Sequence, residues 1–496
     1  MPDLPVFIAS AAGLAALVGM AEGMRAWLRW RSETVRRIVH ALVGLWVAAT
    51  PWLFERPEPI LLLAAGFALL NIVAVRRMWF KGMHAIRRRS WGTVTFPLAL
   101  MAALFLTWFI DAERTFALTA AFAVMGLADP AASLVGMSLR RPKLYRIGHE
   151  VKSWAGTLTF AVVAFAACWA GLQAHVLWHG LGWASEMVLA ASAAVAVTAA
   201  IVEGLGTRGW DNFFVVLCVL VVLHYADTHP AAADWLLVSS AVALAFASLA
   251  YALRFLDLSG AFAAGLLAFS VLGLGGLMWT VPGMVYFFGS SLLSKWRKGA
   301  KQRLEAKQTK GSRRDAGQVY ANGGIAWAAL ILYVFVPHTA FYWMYLAAFA
   351  AAAADTWSTE IGTAVQGRTR SVTTFRVLEP GRSGGISLAG TLGGVAGALS
   401  VWIAAALVGW QAVSDLGVGW SLLLVVGSGV AGGLIDSLAG ATVQALYWDE
   451  QAQAYIEAPP RMGRIARGYR WIDNDAVNLI CTLSGAILAL AGYVLR

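Results

Sequence analysis

The sequence predicts an all-α polytopic membrane protein, and three observations predict it. Of 496 residues, 59% are hydrophobic and only 13% charged, and the mean hydropathy is +0.67. Apolar runs of about 17–25 residues follow one another with short polar breaks, the length a helix needs to cross the hydrocarbon core. Lysine and arginine gather in alternate breaks, as cytoplasmic anchors do. The net charge of +11 therefore reads as membrane anchoring, and nucleic acid is not an expected partner.

About sixteen spans (14–16) are expected, near 4–28, 35–53, 58–75, 93–110, 114–138, 153–172, 186–203, 211–225, 231–253, 258–277, 279–295, 318–336, 340–363, 384–409, 418–446 and 474–495. The first is too long for the apolar core of a leader peptide and reads as a span. Of the 38 Lys and Arg residues, 35 fall in alternate loops, with nine in 295–314 alone. The positive-inside rule then puts those loops in the cytoplasm and both termini outside. The expected location is the cell membrane, multi-pass, with the lipid bilayer as a partner. Cys168, Cys218 and Cys481 fall inside spans without metal-ligand spacing and read as small packing residues.

Taken in order, the first basic loop carries VRRIVH at 35–40, where His40 sits one turn beyond Arg36 and Arg37. Loop 76–89 is basic and aromatic and suits the headgroup region. Span five ends in ADPAASLVG (128–136), with Asp129 and Ser133 on one helical face. Pro130 also suits a helix break there, with Asp129 as its cap. KSWAGTL (152–158) follows, then EGL (203–205) and Asp211-Asn212. Lys152, Gly156 and Thr157 are the small and cationic residues that let backbone N–H groups and a point charge meet phosphate.

The pattern then recurs. ADTWSTEIG (354–362) holds Asp355, Ser358 and Glu360; SLAGTL (387–392) holds Ser387, Gly390 and Thr391; DSL (436–438) and DND (473–475) follow. Asp129 and Glu203 are 74 positions apart, Asp355 and Asp436 are 81 apart. Two tandem related halves, 1–254 and 255–496, are expected. Within the second half lies the longest basic loop (294–324), with Lys301 and Arg314, ending in Gln318 and Asn322 one turn apart. Arg382 lies in loop 368–386, and Asn474 and Asn478 share a face in WIDNDAVN.

The sequence contains no Walker A loop, GxSxG elbow, Cys-His pair or HExxH. What remains is oxygen ligands with Lys and Arg. Carboxylates and Asn carbonyls suit Mg²⁺, cations suit phosphate, and an aspartate can take an alcohol's proton. That inventory describes metal-assisted phosphoryl transfer at the cytoplasmic face to a lipid arriving from the bilayer.

Through VRRIVH, DPAASLVG, KSWAGT and EGLGTRGWDN, the first half resembles the phytol and dolichol kinase family of CTP-dependent polyprenol kinases. Through SGAFAAG, QVYANGG, ADTWSTEIG, GGISLAGT, DSLAGATVQ and WIDNDAVN, the second resembles the DUF92 family, which includes plant phytyl-phosphate kinase. The resemblance implies an isoprenoid alcohol phosphorylated by half one and its monophosphate phosphorylated by half two, with CTP as donor and Mg²⁺ as cofactor. It implies Asp129, Glu203, Asp211, Asp355, Glu360, Asp436 and Asp473 as catalytic residues, with Asp129, Asp211, Asp355, Asp436 and Asp473 toward Mg²⁺. Nucleotide or phosphate contacts are expected from Arg37, His40, Ser133, Lys152, Gly156, Thr157, Asn212, Lys301, Arg314, Asn322, Ser358, Arg382, Ser387, Gly390, Thr391, Asn474 and Asn478. One departure is plain: Ala128 precedes Asp129 where the kinase pattern has Gly, and Gly126 lies two residues earlier. A cytidylyltransferase forming a CDP-lipid would use similar groups, and a two-repeat transporter would share the tandem organisation.

Overall fold

The structure, a computed structural model, describes residues 3–27, 29–77, 91–148, 150–296, 313–365, 367–378, 382–450, 454–456 and 463–496. Lys301 and most of loop 76–89 lie outside them. The chain forms two compact units, 1–241 and 242–496.

Unit one is built from α1 (Leu4–Ala26), α2 (Ser32–Leu53), α3 (Glu58–Arg77), α4 (Gly92–Leu106), α5 (Thr115–Ser138), α6 (Trp154–Trp178), α7 (Ser185–Leu205) and α8 (Asp211–Thr228). An antiparallel hairpin, β1 (Leu144–Ile147) and β2 (Glu150–Ser153), joins α5 to α6. The core helix is α5, whose residues from Thr115 to Gly126 are all buried. It runs unbroken through Pro130, so Asp129 lies on a continuous helix and does not cap a broken one. A membrane helix tolerates such a proline when neighbours satisfy the carbonyls it disturbs. Separately from that proline, His40 Nε2 lies 3.1 Å from the Met125 carbonyl oxygen, one turn before Asp129.

The close approach of α2 to α5 depends on glycine: a Cβ on Gly44 would stand 2.5 Å from the Gly126 Cα. Small residues at such crossings let backbones pack without a side chain between them. Ala128 is fully buried, and Gly126, not the residue just before Asp129, permits the contact.

After α9 (Ala233–Ala252), unit two comprises α10 (Leu258–Phe269), α11 (Gly276–Lys295), α12 (Ala316–Phe335), α13 (Thr339–Ala364), α14 (Leu388–Val408), α15 (Trp410–Leu416), α16 (Val418–Leu422), α17 (Ser428–Thr442) and α18 (Asn474–Val494). Its axis is α13, whose alanine-rich stretch Ala347–Ala354 is buried throughout. Glycines of its neighbours face that stretch: a Cβ on Gly397 would meet the Ala353 carbonyl at 2.7 Å, and one on Gly485 the Ala347 carbonyl at 2.9 Å. The helix is a smooth rod around which the others close.

Three features depart from the expected plain bundle. Short sheets occupy the loops: β3 (Thr369–Ser371), β4 (Val377–Leu378) and β5 (Gly385–Ile386) in order β4-β3-β5, and β6 (Leu446–Asp449), β7 (Ala454–Ile456) and β8 (Gly463–Arg467) in order β7-β6-β8. The expected span 418–446 is not one α-helix, since Leu423–Gly427 is π-helical and the chain enters β6 at Leu446. A second π segment, Ser270–Leu274, follows α10. Such wide turns inside membrane helices mark places where helical hydrogen bonding yields to packing or function. Finally, eleven helices among the described residues are long and apolar enough to cross a membrane, with Glu58–Ala74, Gly92–Leu106 and Leu258–Leu274 shorter apolar helices. The helices α2 and α13 stand outside that group.

Candidate functional site

In unit one the sequence-predicted acids converge. Lys152, on β2, reaches Glu203 at the end of α7: its Nζ lies 2.7 Å from Oε1 and also donates to the Glu203 backbone carbonyl. Asp211, first residue of α8, interacts electrostatically with Lys152, Asp129 and His40. His40 Nε2 is 3.8 Å from Asp129 Oδ2, and Ser133 stands half-buried one turn beyond Asp129. His40, Asp129, Lys152, Glu203 and Asp211 thus form one charged cluster drawn from four helices and a hairpin.

The neighbouring backbone is tightly held. Asn212 Nδ2 donates to the Gly92 carbonyl at 2.9 Å, and Thr95 Oγ1 to the Gly209 carbonyl at 2.5 Å. The turn before α8 uses positive φ at Arg208 and Gly209. A Cβ on Gly206 would strike the Asp211 Cβ at 2.4 Å, so that turn seats the Asp211 side chain directly. Asn212 is therefore a clamp between α4 and α8.

Two hairpin residues lie outside the spans and carry shifted titrations. Burial pushes the Lys152 ammonium down, but the charges of Glu203 and Asp211, with the Glu203 hydrogen bond, outweigh it and the pKa rises above its ordinary 10.5. Burial raises the Tyr145 hydroxyl, which shares a 2.6 Å hydrogen bond with Thr157. Arg37 is taken up locally, with its Nη2 3.1 Å from Glu33 Oε1.

Unit two repeats this framework. Ser153 caps α6 by accepting from the Gly156 N–H at 3.0 Å, and Ser387 caps α14 by accepting from Gly390 at 3.1 Å. A Cβ on Gly156 would meet the Ala132 carbonyl at 3.1 Å, and one on Gly390 the Ser358 carbonyl at 2.9 Å. A Cβ on Gly136 would meet Ser153 Oγ at 2.9 Å, and one on Gly362 would meet Ser387 Oγ at 3.1 Å. Ala132 and Ser358 each follow their aspartate by three residues, and Gly136 and Gly362 by seven. The doubled motif is thus a doubled piece of packing, in which a serine-capped, glycine-rich helix start presses on the helix bearing the first aspartate.

The two clusters differ in what faces that aspartate. Asp355 shares a side-chain hydrogen bond with Asp436 and feels the Glu360 charge. Two carboxyl groups so close share a proton or a cation, since adjacent like charges disfavour full ionisation. A hard divalent cation with oxygen ligands fits that donor pair. Tyr286 of α11 joins them: it hydrogen-bonds Thr356 and interacts with Arg314 and Asp355. Cys481, expected only to pack, is buried within electrostatic reach of Asp355 and Asp436.

Other expected residues stand apart. Asp473 is exposed and caps α18, accepting from the Ala476 N–H at 3.0 Å. Asn474 is exposed as the first residue of that helix. The acid of this motif that packs inward is Asp475, whose Oδ2 lies 2.8 Å from where a Gly317 Cβ would be. The Asn478 backbone carbonyl accepts from Thr482 Oγ1 at 3.1 Å. The Thr391 N–H closes the first turn of α14 on the Ser387 carbonyl at 2.8 Å. Arg382 lies over the Tyr455 ring, 5.3 Å from its centroid, and Lys301 is outside the described residues. Among the described residues, no group of three or more His, Cys, Asp and Glu side chains is arranged to hold a metal. Sequence reasoning missed Tyr286, whose run WTVPGMVYFFG reads as plain apolar helix.

Fold and sites define a polytopic integral membrane protein with paired acidic clusters at its helix ends. Residues 241–486 match the family described as integral membrane protein DUF92, and the chain belongs to that family through this half. It is 30% identical over 243 residues to uncharacterized membrane protein MJ0933 of Methanocaldococcus jannaschii, covering 48% of this chain and 87% of that one. It is 27% identical over 257 residues to Protein PGR of Arabidopsis thaliana (48% and 89% of the two chains). It is 28% identical over 172 residues to the chloroplastic Protein VTE6 of the same plant (35% and 41%). No solved structure matches it significantly.

Proposed function

We propose that the protein is a bifunctional prenyl-lipid kinase, converting an isoprenoid alcohol to its monophosphate and then to its diphosphate. The single observation that carries this is the repeated aspartate, serine-cap and glycine framework, completed by different partners in the two units. The resemblance of the halves to polyprenol kinases and to phytyl-phosphate kinase supports the order of the steps. The similarity of the chain to Protein VTE6 and Protein PGR supports a prenyl-lipid role.

In unit one, Asp129 accepts the alcohol proton as the alcohol oxygen bonds the γ-phosphorus of CTP and the β–γ bridge bond breaks, releasing CDP. Lys152 is shared with Glu203 and Asp211 and supplies the positive charge against the transferring phosphoryl group. In unit two the acceptor is already an anion, so a general base is less necessary and anion neutralisation more so. Asp355 and Asp436 would hold Mg²⁺ there, and Asp129 with Asp211 in unit one. The ion supplies charge neutralisation of the nucleotide phosphates when bound. Both sites are assigned to the cytoplasmic face, where the basic loops and CTP would be.

The test is purified protein with γ-labelled CTP and Mg²⁺, offered phytol, geranylgeraniol or farnesol. Labelled lipid monophosphate and diphosphate are expected. Absence of both sinks the reading, and label from the cytidine ring in the lipid converts it to a cytidylyltransferase.

A further inference from the structure

The acidic cluster of unit one gathers at the start of α6, and the far end of that helix carries two histidines that the proposed reaction does not use. The helix has 25 residues, which puts its two ends roughly 37 Å apart. His175 and His179 stand four positions apart, so both rings leave the same face of its last turn. The rings lie nearly parallel, with centroids 4.8 Å apart and planes at 25°. Trp52, near the end of α2, packs against both, with its centroid 4.6 Å from the His175 ring and 5.2 Å from the His179 ring.

The two histidines differ in burial and bonding. His175 is buried and His179 is exposed. His175 Nε2 lies 2.9 Å from Thr119 Oγ1 on α5. The Thr119 hydroxyl donates its one proton to the Ala48 carbonyl at 3.0 Å, so it accepts from His175, and Nε2 carries the proton of the neutral ring. Nδ1 is left with the lone pair, and among the described residues it has no hydrogen-bond partner. The ring nitrogens of His179 have none among them either. Two other histidines at this end of the unit are engaged through a ring nitrogen. His224 Nδ1 lies 3.4 Å from Arg114 Nη1. His229 Nδ1 lies 2.9 Å from Thr228 Oγ1, and its ring stacks on Tyr225.

We propose that His175 and His179 together hold a divalent transition-metal ion of the zinc and copper class at this end of α6. Imidazole nitrogen suits such ions, whereas Mg²⁺ takes oxygen ligands, so the site is chemically distinct from the carboxylate clusters. His175 is its preformed half. A metal-ligating histidine characteristically donates its other N–H to a fixed partner, and Thr119, held in turn by Ala48, is that partner. His179 is exposed and free of hydrogen bonds, so it completes the pair by turning its ring about a soft terminal torsion. Two protein ligands leave the other positions to water. The ion therefore sits in an open site, at the end of the span opposite the acidic cluster. This inference stands apart from the kinase reading and does not rest on it.

The experiment titrates the full chain, in detergent and without a polyhistidine tag, with Cu²⁺ and follows it by electron paramagnetic resonance. A Cu²⁺ signal with two nitrogen ligands is expected, displaced by Zn²⁺ and not by Mg²⁺. His179→Ala, at an exposed position, is expected to weaken Cu²⁺ at least tenfold and to leave one nitrogen in the spectrum. His229→Ala, at the same end of the unit, is expected to change neither. Thr119→Val removes the hydroxyl that orients His175 and is expected to weaken Cu²⁺ about tenfold; a histidine that only packs would show no such loss. Zn²⁺ is expected to raise the unfolding midpoint of the wild type and not that of His179→Ala. A two-nitrogen signal that survives His179→Ala, or that is lost in His229→Ala, overturns the proposal. So does the absence of any nitrogen-ligated Cu²⁺ in the wild type. Phosphate transfer is not among the readouts, so failure here leaves the kinase reading standing, and failure of that reading leaves the metal site.

Discussion

Lys152 Nζ lies 2.7 Å from Glu203 Oε1 and donates as well to the backbone carbonyl of Glu203. A single cation on a hairpin thereby ties the loop after α5 to the end of α7. Both side chains are largely buried, at 17% and 11% exposure. Breaking such a pair from one side leaves a buried charge, at a cost of about 3–5 kcal/mol. Lys152→Met should therefore lower the unfolding midpoint in detergent well below that of the double variant Lys152→Met with Glu203→Gln. Equal midpoints for the two would show that the pair contributes no coupling.

The same pair sets a pH dependence at the alkaline end. The folded pKa of Lys152 stands above 10.5, so its contribution is complete below 10.5 and fades as pH rises through the folded value. The stability gap between wild type and Lys152→Met should be constant from about pH 7 to 9 and narrow above about pH 10.5. Thermal unfolding across that range measures it, and a gap that widens with pH contradicts the assignment.

The serine-capped helix starts leave no room at their glycines. Gly390→Val should cost about 1–3 kcal/mol, because its Cβ would press on the Ser358 carbonyl at 2.9 Å. Gly156→Val should cost a similar amount against Ala132. By contrast Gly19→Val, which has open space, should be nearly neutral. Comparing the three midpoints separates a packing role from a general intolerance of valine.

The two clusters should be separable in product analysis. Asp129→Asn is expected to lower alcohol phosphorylation about 100-fold or more while supplied monophosphate is still converted. Asp355→Asn or Asp436→Asn should cause monophosphate to accumulate from the alcohol. Thin-layer separation of labelled lipids reads both, and the opposite pattern inverts the assignment of units to steps.

Much of this was legible before any coordinates. Hydrophobic run length and the alternation of basic loops sufficed for a polytopic helical membrane protein, because the bilayer imposes one length and one satisfied backbone on every span. The order of aspartate, Gly-Thr step, second acid and Asp-Asn showed the repeat, since each half writes the same residue types in the same order at similar spacing. The place of Lys152, just before the serine cap, was legible too, but its ion pair with Glu203 was not.

Only the tertiary structure decided which carboxylates meet. Asp436 faces Asp355 and Asp473 does not, although the three read alike, because Asp473 turns back to cap its own helix. Gly126 rather than residue 128 proved to be the point of helix contact, and Tyr286 emerged from an apolar run as a neighbour of Asp355. The short sheets and π segments were hidden for the same reason: they depend on contacts between segments distant in the chain. Sequence determined what each segment is, because hydrophobicity and capping act within about one helical turn. Which side chains share a site depends on helix rotation and crossing, which packing alone sets.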